Sequence, residues 1–260
     1  MSDQPVVLIT GAANGIGRAT ALELARLGFP IGLIDIDAAR LEELSNQLRS
    51  QQGRWWAEVA DVTDRPALRV AVQQIEDKVG PIDVLLACAG YGTLTLVPDL
   101  ALDTLKRTFE VNVFGVAEAI EAVLPGMLQR GRGHLVGVAS LAGYRGFPWM
   151  ISYSASKAAL IAYLEAIRPG LARRGVTVTT VCPGFVRTAM STGIPYKRKV
   201  TMLEPEEAAR YLVRAVLRRP RNCVFPWSMR LGLALLRIMP DSVFDWMMRQ
   251  AGPKALAVEF

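Results

Sequence analysis

A single histidine, His134, occurs in 260 residues. This excludes a multi-histidine metal centre and any triad that needs a second histidine. Its place just before an apolar run, HLVGVAS, suggests a structural role. Cysteine is also scarce. Cys88, Cys182 and Cys223 lie far apart in apolar surroundings, with no C-x-x-C spacing. The expectation is three buried free thiols in a reducing compartment and no metal site. Met1 to Thr10 lacks a basic flank and runs straight into a strand-like pattern, so no signal peptide is expected and the protein is expected in the cytoplasm. Repeats, low-complexity tracts and internal linkers are absent as well. With 51% hydrophobic and 21% charged residues, the chain suits a globular protein with a substantial core.

The net charge of +6 is unevenly placed. Residues 1–196 carry 18 basic and 18 acidic side chains, whereas residues 197–260 carry 12 and 6. In that tail the arginines alternate with apolar residues and form no basic run, which argues against nucleic acid.

The rest of the chain alternates strand-like and helix-like segments. PVVLITG (Pro5–Gly11) is short, apolar and β-branched, as a buried strand should be. It breaks into Thr10-Gly11-Ala12-Ala13-Asn14-Gly15-Ile16-Gly17, and a helix follows over Arg18–Leu27. Glycines let a phosphate approach the backbone, and the helix N-terminus then offers free N–H groups to a pyrophosphate. A second strand, Ile31–Asp35, ends in an acid at the spacing expected of a carboxylate that accepts adenosine ribose hydroxyls. Further on, Tyr153 and Lys157 are four residues apart and share one face of a predicted helix. An ammonium so placed favours the phenolate and lowers the tyrosine's pKa, which suits proton transfer near neutral pH. Ser140, at the end of the preceding strand, can reach the same substrate oxygen.

With the T-G-x-x-x-G-x-G turn and Ser140, Tyr153 and Lys157 in place, the chain resembles the short-chain dehydrogenase/reductase family over Val6 to about Met190, and more loosely to Trp227. The resemblance implies an α/β Rossmann-type fold, a doubly wound parallel sheet of about seven strands with helices on both faces. Residues 1–227 would form the dinucleotide-binding and catalytic domain, with 228–260 a C-terminal extension packed on it. It also implies an oxidoreductase whose Asn112, Ser140, Tyr153 and Lys157 act on a carbinol or carbonyl group. Lys157 would also bind the nicotinamide ribose, and Asn112 would distort its helix and hold a water linking Lys157 to solvent. Thr10, Gly11, Asn14, Gly15, Ile16, Gly17, Asp35, Asp61, Val62, Ala89, Gly90, Pro183, Gly184, Val186 and Thr188 would line the cofactor. One departure stands out: the family's usual Asn-Asn-Ala-Gly is Ala87-Cys88-Ala89-Gly90 here.

Asp35 points to NAD in preference to NADP, because a carboxylate there repels a 2′-phosphate. The remaining expected helices are Ala38–Gln52, Pro66–Val79, Leu102–Gln129, Tyr153–Arg173 and Glu204–Arg218. The remaining strands are Trp55–Val59, Asp83–Ala87, Gly133–Ser140, Val176–Cys182 and Asn222–Pro226. Tyr144, Phe147, Trp149 and Met190, with Ser140 and Tyr153, suggest an apolar wall for a lipophilic secondary alcohol or ketone. An NADPH-dependent ketone reductase and a non-catalytic NAD-binding relative are the alternatives. Leu231, Leu235, Leu236 and Ile238 make an apolar stripe interrupted by Arg230 and Arg237, too short to cross a bilayer. The stretch 228–250 suits a substrate cover, a subunit contact, a peripheral contact with an anionic membrane, or plain core packing. By analogy with the family, helices 102–129 and 153–173 would pair two copies as a homodimer.

Overall fold

The computed structural model describes residues 4–51, 53–95, 97, 100–191, 202–226, 229, 232, 235, 236 and 238–256. Strands β1 (Val7–Thr10), β2 (Ile31–Asp35), β3 (Trp55–Val59), β4 (Val84–Ala87), β5 (Gly133–Val138), β6 (Val176–Pro183) and β7 (Asn222–Phe225) form one sheet. Its order is β3-β2-β1-β4-β5-β6-β7, and every pairing is parallel. The order reverses between β1 and β4. That reversal opens a crevice beyond the carboxyl ends of the strands, where a dinucleotide binds in sheets of this kind.

Parallel strands connected through helices are covered on both faces, so they read as unbroken apolar runs. Val7, Leu8 and Ile9 of β1 are all fully buried, as are Val84, Leu85 and Leu86 of β4. One apolar layer sits under α3 (Arg65–Val79), α5 (Gly115–Arg130) and α6 (Ile151–Ala172). The other sits under α1 (Gly15–Arg26), α2 (Ala38–Leu48) and α7 (Pro205–Arg218). Helix ends follow local chemistry. Asp37 caps α2 by accepting from Arg40 N, and Glu204 and Glu207 form a capping box ahead of Pro205.

Most boundaries fall within two residues of expectation; α1 starts three residues early, at Gly15, and two further differences are instructive. Helix α2 ends at Leu48 and does not run on to Gln52, which lies outside the described residues. Its buried positions Leu41, Leu44 and Leu48 stop there, so nothing further on holds the chain to the sheet. The predicted helix over 102–129 is present but not uniform. It runs as α4 (Leu102–Phe109), a π-helical turn over Glu110–Phe114, and α5. The π turn contains Asn112. After β7 a last helix, α8 (Asp241–Leu256), packs back on the molecule. Of the predicted apolar stripe, Arg230, Leu231 and Arg237 lie outside the described residues, while Leu235 and Ile238 are exposed.

Candidate active site

Helix α1 starts at the carboxyl end of β1 without a side-chain cap. Asn14 occupies the N-cap position, but its Oδ1 accepts from Arg40 Nη1 at 2.6 Å. The first turn of α1 carries no acid. Its N-terminal N–H groups and the positive dipole end therefore suit an anion. Close approach explains the glycines: a Cβ on Gly17 would lie 2.0 Å from the Gly11 carbonyl oxygen. A Cβ on Gly15 would lie 2.9 Å from Thr188 Cγ2. The Pro183–Thr188 segment thus folds over the glycine turn, bringing Thr188 against Gly15. Within that segment Gly184 N donates to Phe225 O, and Val186 is buried and bridges to Leu203.

Asp35 ends β2 with 8% exposure. Its carboxylate accepts from Ala13 N at 2.8 Å and from Asp37 N at 3.0 Å. It therefore braces the glycine turn. Asp61 begins the turn after β3 and accepts from Thr63 N and Arg107. Burial would raise its carboxyl, but the Thr63 amide and hydroxyl and the Arg107 guanidinium outweigh burial and hold it below the usual range. Val62 is buried against Gly115. Ala89 touches Gly11, and the Cys88 amide donates to Thr10 O, which ties the altered turn after β4 to β1.

At the other end of the crevice, Lys157 is 4% exposed. Its Nζ donates to Val138 O at 2.8 Å and stands 5.7 Å from the centre of the Tyr153 ring. Burial pushes its ammonium down to about 8, with Cys88 and Cys182 opposing. The Cys88 thiol is pushed up to about 12 by burial, with Lys157 opposing. Cys88 is thus an inert neutral filler beside a cation. Of the three free thiols only Cys182 is fully buried; Cys88 and Cys223 are partly covered, short of the burial expected for all three.

Ser140 caps a short 3-10 turn over Leu141–Gly143, its Oγ accepting from Ala142 N at 3.1 Å. That turn lies directly on α6, since a Cβ on Gly143 would meet the Lys157 carbonyl carbon at 2.7 Å. Asn112 is fully buried. Its Oδ1 accepts from Tyr91 N, and its Nδ2 donates to Tyr91 O and Ser156 Oγ. The side chain is consumed in stapling the π turn to the segment after β4 and to α6. A Cβ on Gly90 would lie 3.4 Å from Asn112 Oδ1 and 3.7 Å from Lys157 Nζ, so the two side chains flank one glycine.

The expected apolar wall is only partly assembled from the expected residues. Met190 reaches the site: a Cβ on Gly92 would lie 2.8 Å from Tyr153 Cδ2 and 3.2 Å from Met190 Sδ. Phe147 and Trp149 pair at 5.9 Å between ring centres. Tyr144 packs on the core under α6, with its hydroxyl 3.6 Å from Cys182 Sγ. Sequence reasoning missed Gly92, whose lack of a side chain makes room for the Tyr153 ring, and Ser156, the polar partner of Asn112. His134 is fully buried against Thr179 Oγ1, and burial lowers it to about 4, so it is neutral and structural.

This is the architecture of a dinucleotide-dependent α/β oxidoreductase: a phosphate-fitted glycine turn at a sheet reversal, with a tyrosine–lysine pair at the adjoining strand ends. A family model described as short chain dehydrogenase matches residues 5–199. The chain belongs to the short-chain dehydrogenase/reductase family, whose oxidoreductases act on CH–OH groups. It is 33% identical to an uncharacterized oxidoreductase of Myxococcus xanthus, covering 92% of this chain and 94% of that one. It is 32% identical to estradiol 17-beta-dehydrogenase 11 of Rattus norvegicus, covering 97% and 86%. A short-chain dehydrogenase/reductase from Burkholderia phymatum, solved in complex with NAD, superimposes with a TM-score of 0.82 at 25% identity, over 90% and 92% of the two chains. An actinorhodin polyketide ketoreductase variant solved with NADPH gives 0.73 at 28% identity, over 82% and 90%.

Proposed function

We propose that the protein transfers hydride between NAD and the carbinol or carbonyl carbon of a lipophilic secondary alcohol or ketone. The observation that carries the substrate class is the disposition of Arg145. It is the only charged residue between Ser140 and Tyr153, and it turns away to Asp241 and the Met239 carbonyl. Gly92 and Met190 lie at the Tyr153 ring, and the loop before it contributes the apolar Phe147 and Trp149. The relative named as an estradiol dehydrogenase supports a carbinol on an apolar body.

When bound, the nicotinamide accepts hydride in one direction and donates it in the other. In oxidation, Tyr153 takes the alcohol proton as a phenolate, and the adjacent Lys157 ammonium favours that state. Ser140 donates its hydroxyl to the same oxygen and steadies its partial charge. Asn112 holds the helix turn and the Tyr91 backbone, next to Gly90, in place beside Lys157.

For the cofactor, Asp35 opposes a 2′-phosphate, and Arg40 is already engaged by Asn14 and lies 3.5 Å from the Asp37 carboxylate. Both features support NAD. The test follows NADH formation from a panel of hydrophobic secondary alcohols, with NAD or NADP supplied in parallel and Tyr153→Phe as control. Turnover with NAD that the variant loses supports the reading; turnover with NADP alone would sink it. A peripheral membrane contact is supported by one feature: Val243 and Trp246, three apart on α8, are exposed, with Arg249 a further three residues on. Sedimentation with anionic but not neutral liposomes, lost in Trp246→Glu, is the expected result.

A further inference from the structure

The segment after β7 returns to the site at two places. Met229 packs on the turn after β6, where a Cβ on Gly184 would lie 2.5 Å from Met229 Sδ. Then Arg145, in the loop between Ser140 and Tyr153, grips the start of α8. Its Nη1 donates to Asp241 Oδ1 at 2.9 Å and its Nη2 to Met239 O at 2.8 Å. Its guanidinium also lies 4.6 Å from the Phe244 ring centre. Phe244 meets Phe147 edge-on at 6.3 Å, and Phe147 in turn meets Trp149. Phe244 is buried, while its neighbours Val243 and Asp245 are exposed. This helix therefore docks through one aromatic anchor.

The other end of the same loop is fixed. Met150 bridges to Thr95, Thr95 N donates to Trp149 O, and Ser152 N donates to Thr95 Oγ1. One short loop thus carries Ser140 at its start and Tyr153 just past its end, with the α8 anchor between them. Both terminal nitrogens of Arg145 are committed to that anchor, which takes them out of play as an anion receptor for substrate.

We propose that Arg145 is a positioning residue that locks α8 onto this loop, making Phe147 and Phe244 the wall that holds the apolar body of the substrate. The inference rests on the oxidoreductase reading above. The strength of the latch is unequal across its contacts. Asp241 is 90% exposed at its side chain, so its ion pair is screened and contributes little. The carbonyl bond to Met239 and the cover over a buried aromatic carry more.

The experiment compares wild type with Arg145→Ala, Arg145→Lys, Phe244→Ala and Asp241→Ala. The first readout is hydrogen exchange of residues 241–256 in the full chain, which needs no substrate. The second is KM and kcat for linear 2-alkanols of increasing length, with NAD. Arg145→Ala and Phe244→Ala are expected to speed exchange in α8 and to raise KM for the longest alcohols by about tenfold or more, while KM for the shortest stays within about twofold. The KM for NAD should stay within about twofold. Arg145→Lys should recover part of the loss, because it keeps the cation over Phe244, and Asp241→Ala should have the smallest effect. A length-independent fall in kcat, or unchanged exchange together with unchanged KM, would overturn the proposal. If wild type turns over none of these alcohols, the lipophilic-alcohol reading fails on that result. The exchange series then decides the latch separately, and unchanged exchange in Arg145→Ala sinks it.

Discussion

The Lys157 ammonium donates to the Val138 carbonyl at 2.8 Å, at the inner end of β5. That bond fixes a cation in a site that almost no water reaches, and the chain bears the desolvation cost for the sake of Tyr153. Removing the charge should separate the two effects. Lys157→Met is expected to cut kcat/KM by at least about a hundredfold. At pH 7 it should also raise stability by ~1–2 kcal/mol, net of the lost bond to Val138. The sign follows from linkage. Folding lowers the Lys157 pKa from 10.5 to about 8. Below about 8 both states are protonated and the folded wild type bears the whole cost. From there to 10.5 the unfolded chain alone holds the proton, so wild-type stability rises with pH. The Tm gap between variant and wild type should therefore be widest below pH 8 and shrink towards pH 10.

Asn112 makes three hydrogen bonds from full burial, so its loss orphans Tyr91 N and Tyr91 O, while the Ser156 hydroxyl keeps its bond to Tyr153 O. Asn112→Ala should cost about 2–4 kcal/mol in urea unfolding, most of it desolvation of orphaned groups. Asn112→Asp keeps the acceptor for Tyr91 N but turns an oxygen on Tyr91 O. It should be similarly destabilised at neutral pH and regain part of the loss under mild acid, where a protonated carboxyl donates. A variant that matches wild type in urea midpoint would show that the π turn stands without the staple.

The proposed preference for NAD rests on Asp35 and Arg40 together. Asp35→Ala should lower kcat/KM with NAD by about tenfold or more, partly through loss of the brace to Ala13. It should also admit NADP, because Arg40, beside Asn14, then meets a 2′-phosphate with only the Asp37 carboxylate, 3.5 Å away, still competing for it. Adding Arg40→Ala should remove the gained NADP turnover and leave the residual NAD turnover within a few-fold. Initial rates with both cofactors measure this directly. Persistence of NADP turnover in the double variant would exclude Arg40.

What was legible in the sequence is what depends on near neighbours along the chain. Short apolar runs located the strands, and Gly11, Gly15 and Gly17 marked the turn between β1 and α1, because each acts through local geometry. Tyr153 and Lys157 were readable for the same reason, being one helical turn apart. The π turn left only an indirect trace, a polar Asn112 amid apolar positions, since its partner Ser156 lies 44 residues further on. Arg145 could be recognised as an odd charge in an apolar loop, but its purpose could not, because Asp241 is 96 residues away. Tyr144 was named for the substrate wall from its aromatic neighbours; its contact with Cys182, 38 residues further on, left no trace in the sequence.

Helices α4 and α5 with their π turn span Leu102–Arg130, 29 residues long and apolar enough by length and composition to cross a membrane, yet only 44% of their most apolar window is buried. Val116, Ala119, Ile120, Val123 and Met127 face the sheet and account for the buried part. On the other side Phe114 is 59% exposed, at the head of a shallow groove of about 290 Å³ that Leu124 and Tyr163 also line. Arg65 and Arg69 ion-pair with Glu118 and Glu121 there, so the acids along the groove are already neutralised. A second copy docking α5 and α6 against their own counterparts would cover this surface with matching apolar side chains. The chain is therefore expected to elute at twice its monomer mass in light-scattering chromatography. Phe114→Asp with Leu124→Asp should place two charges in the apolar centre and shift it to the monomer, with the far-ultraviolet dichroism of the folded sheet retained. A double variant that remains dimeric would move the interface elsewhere, whereas a wild-type monomer would leave the apolar excess of α5 to some other covering.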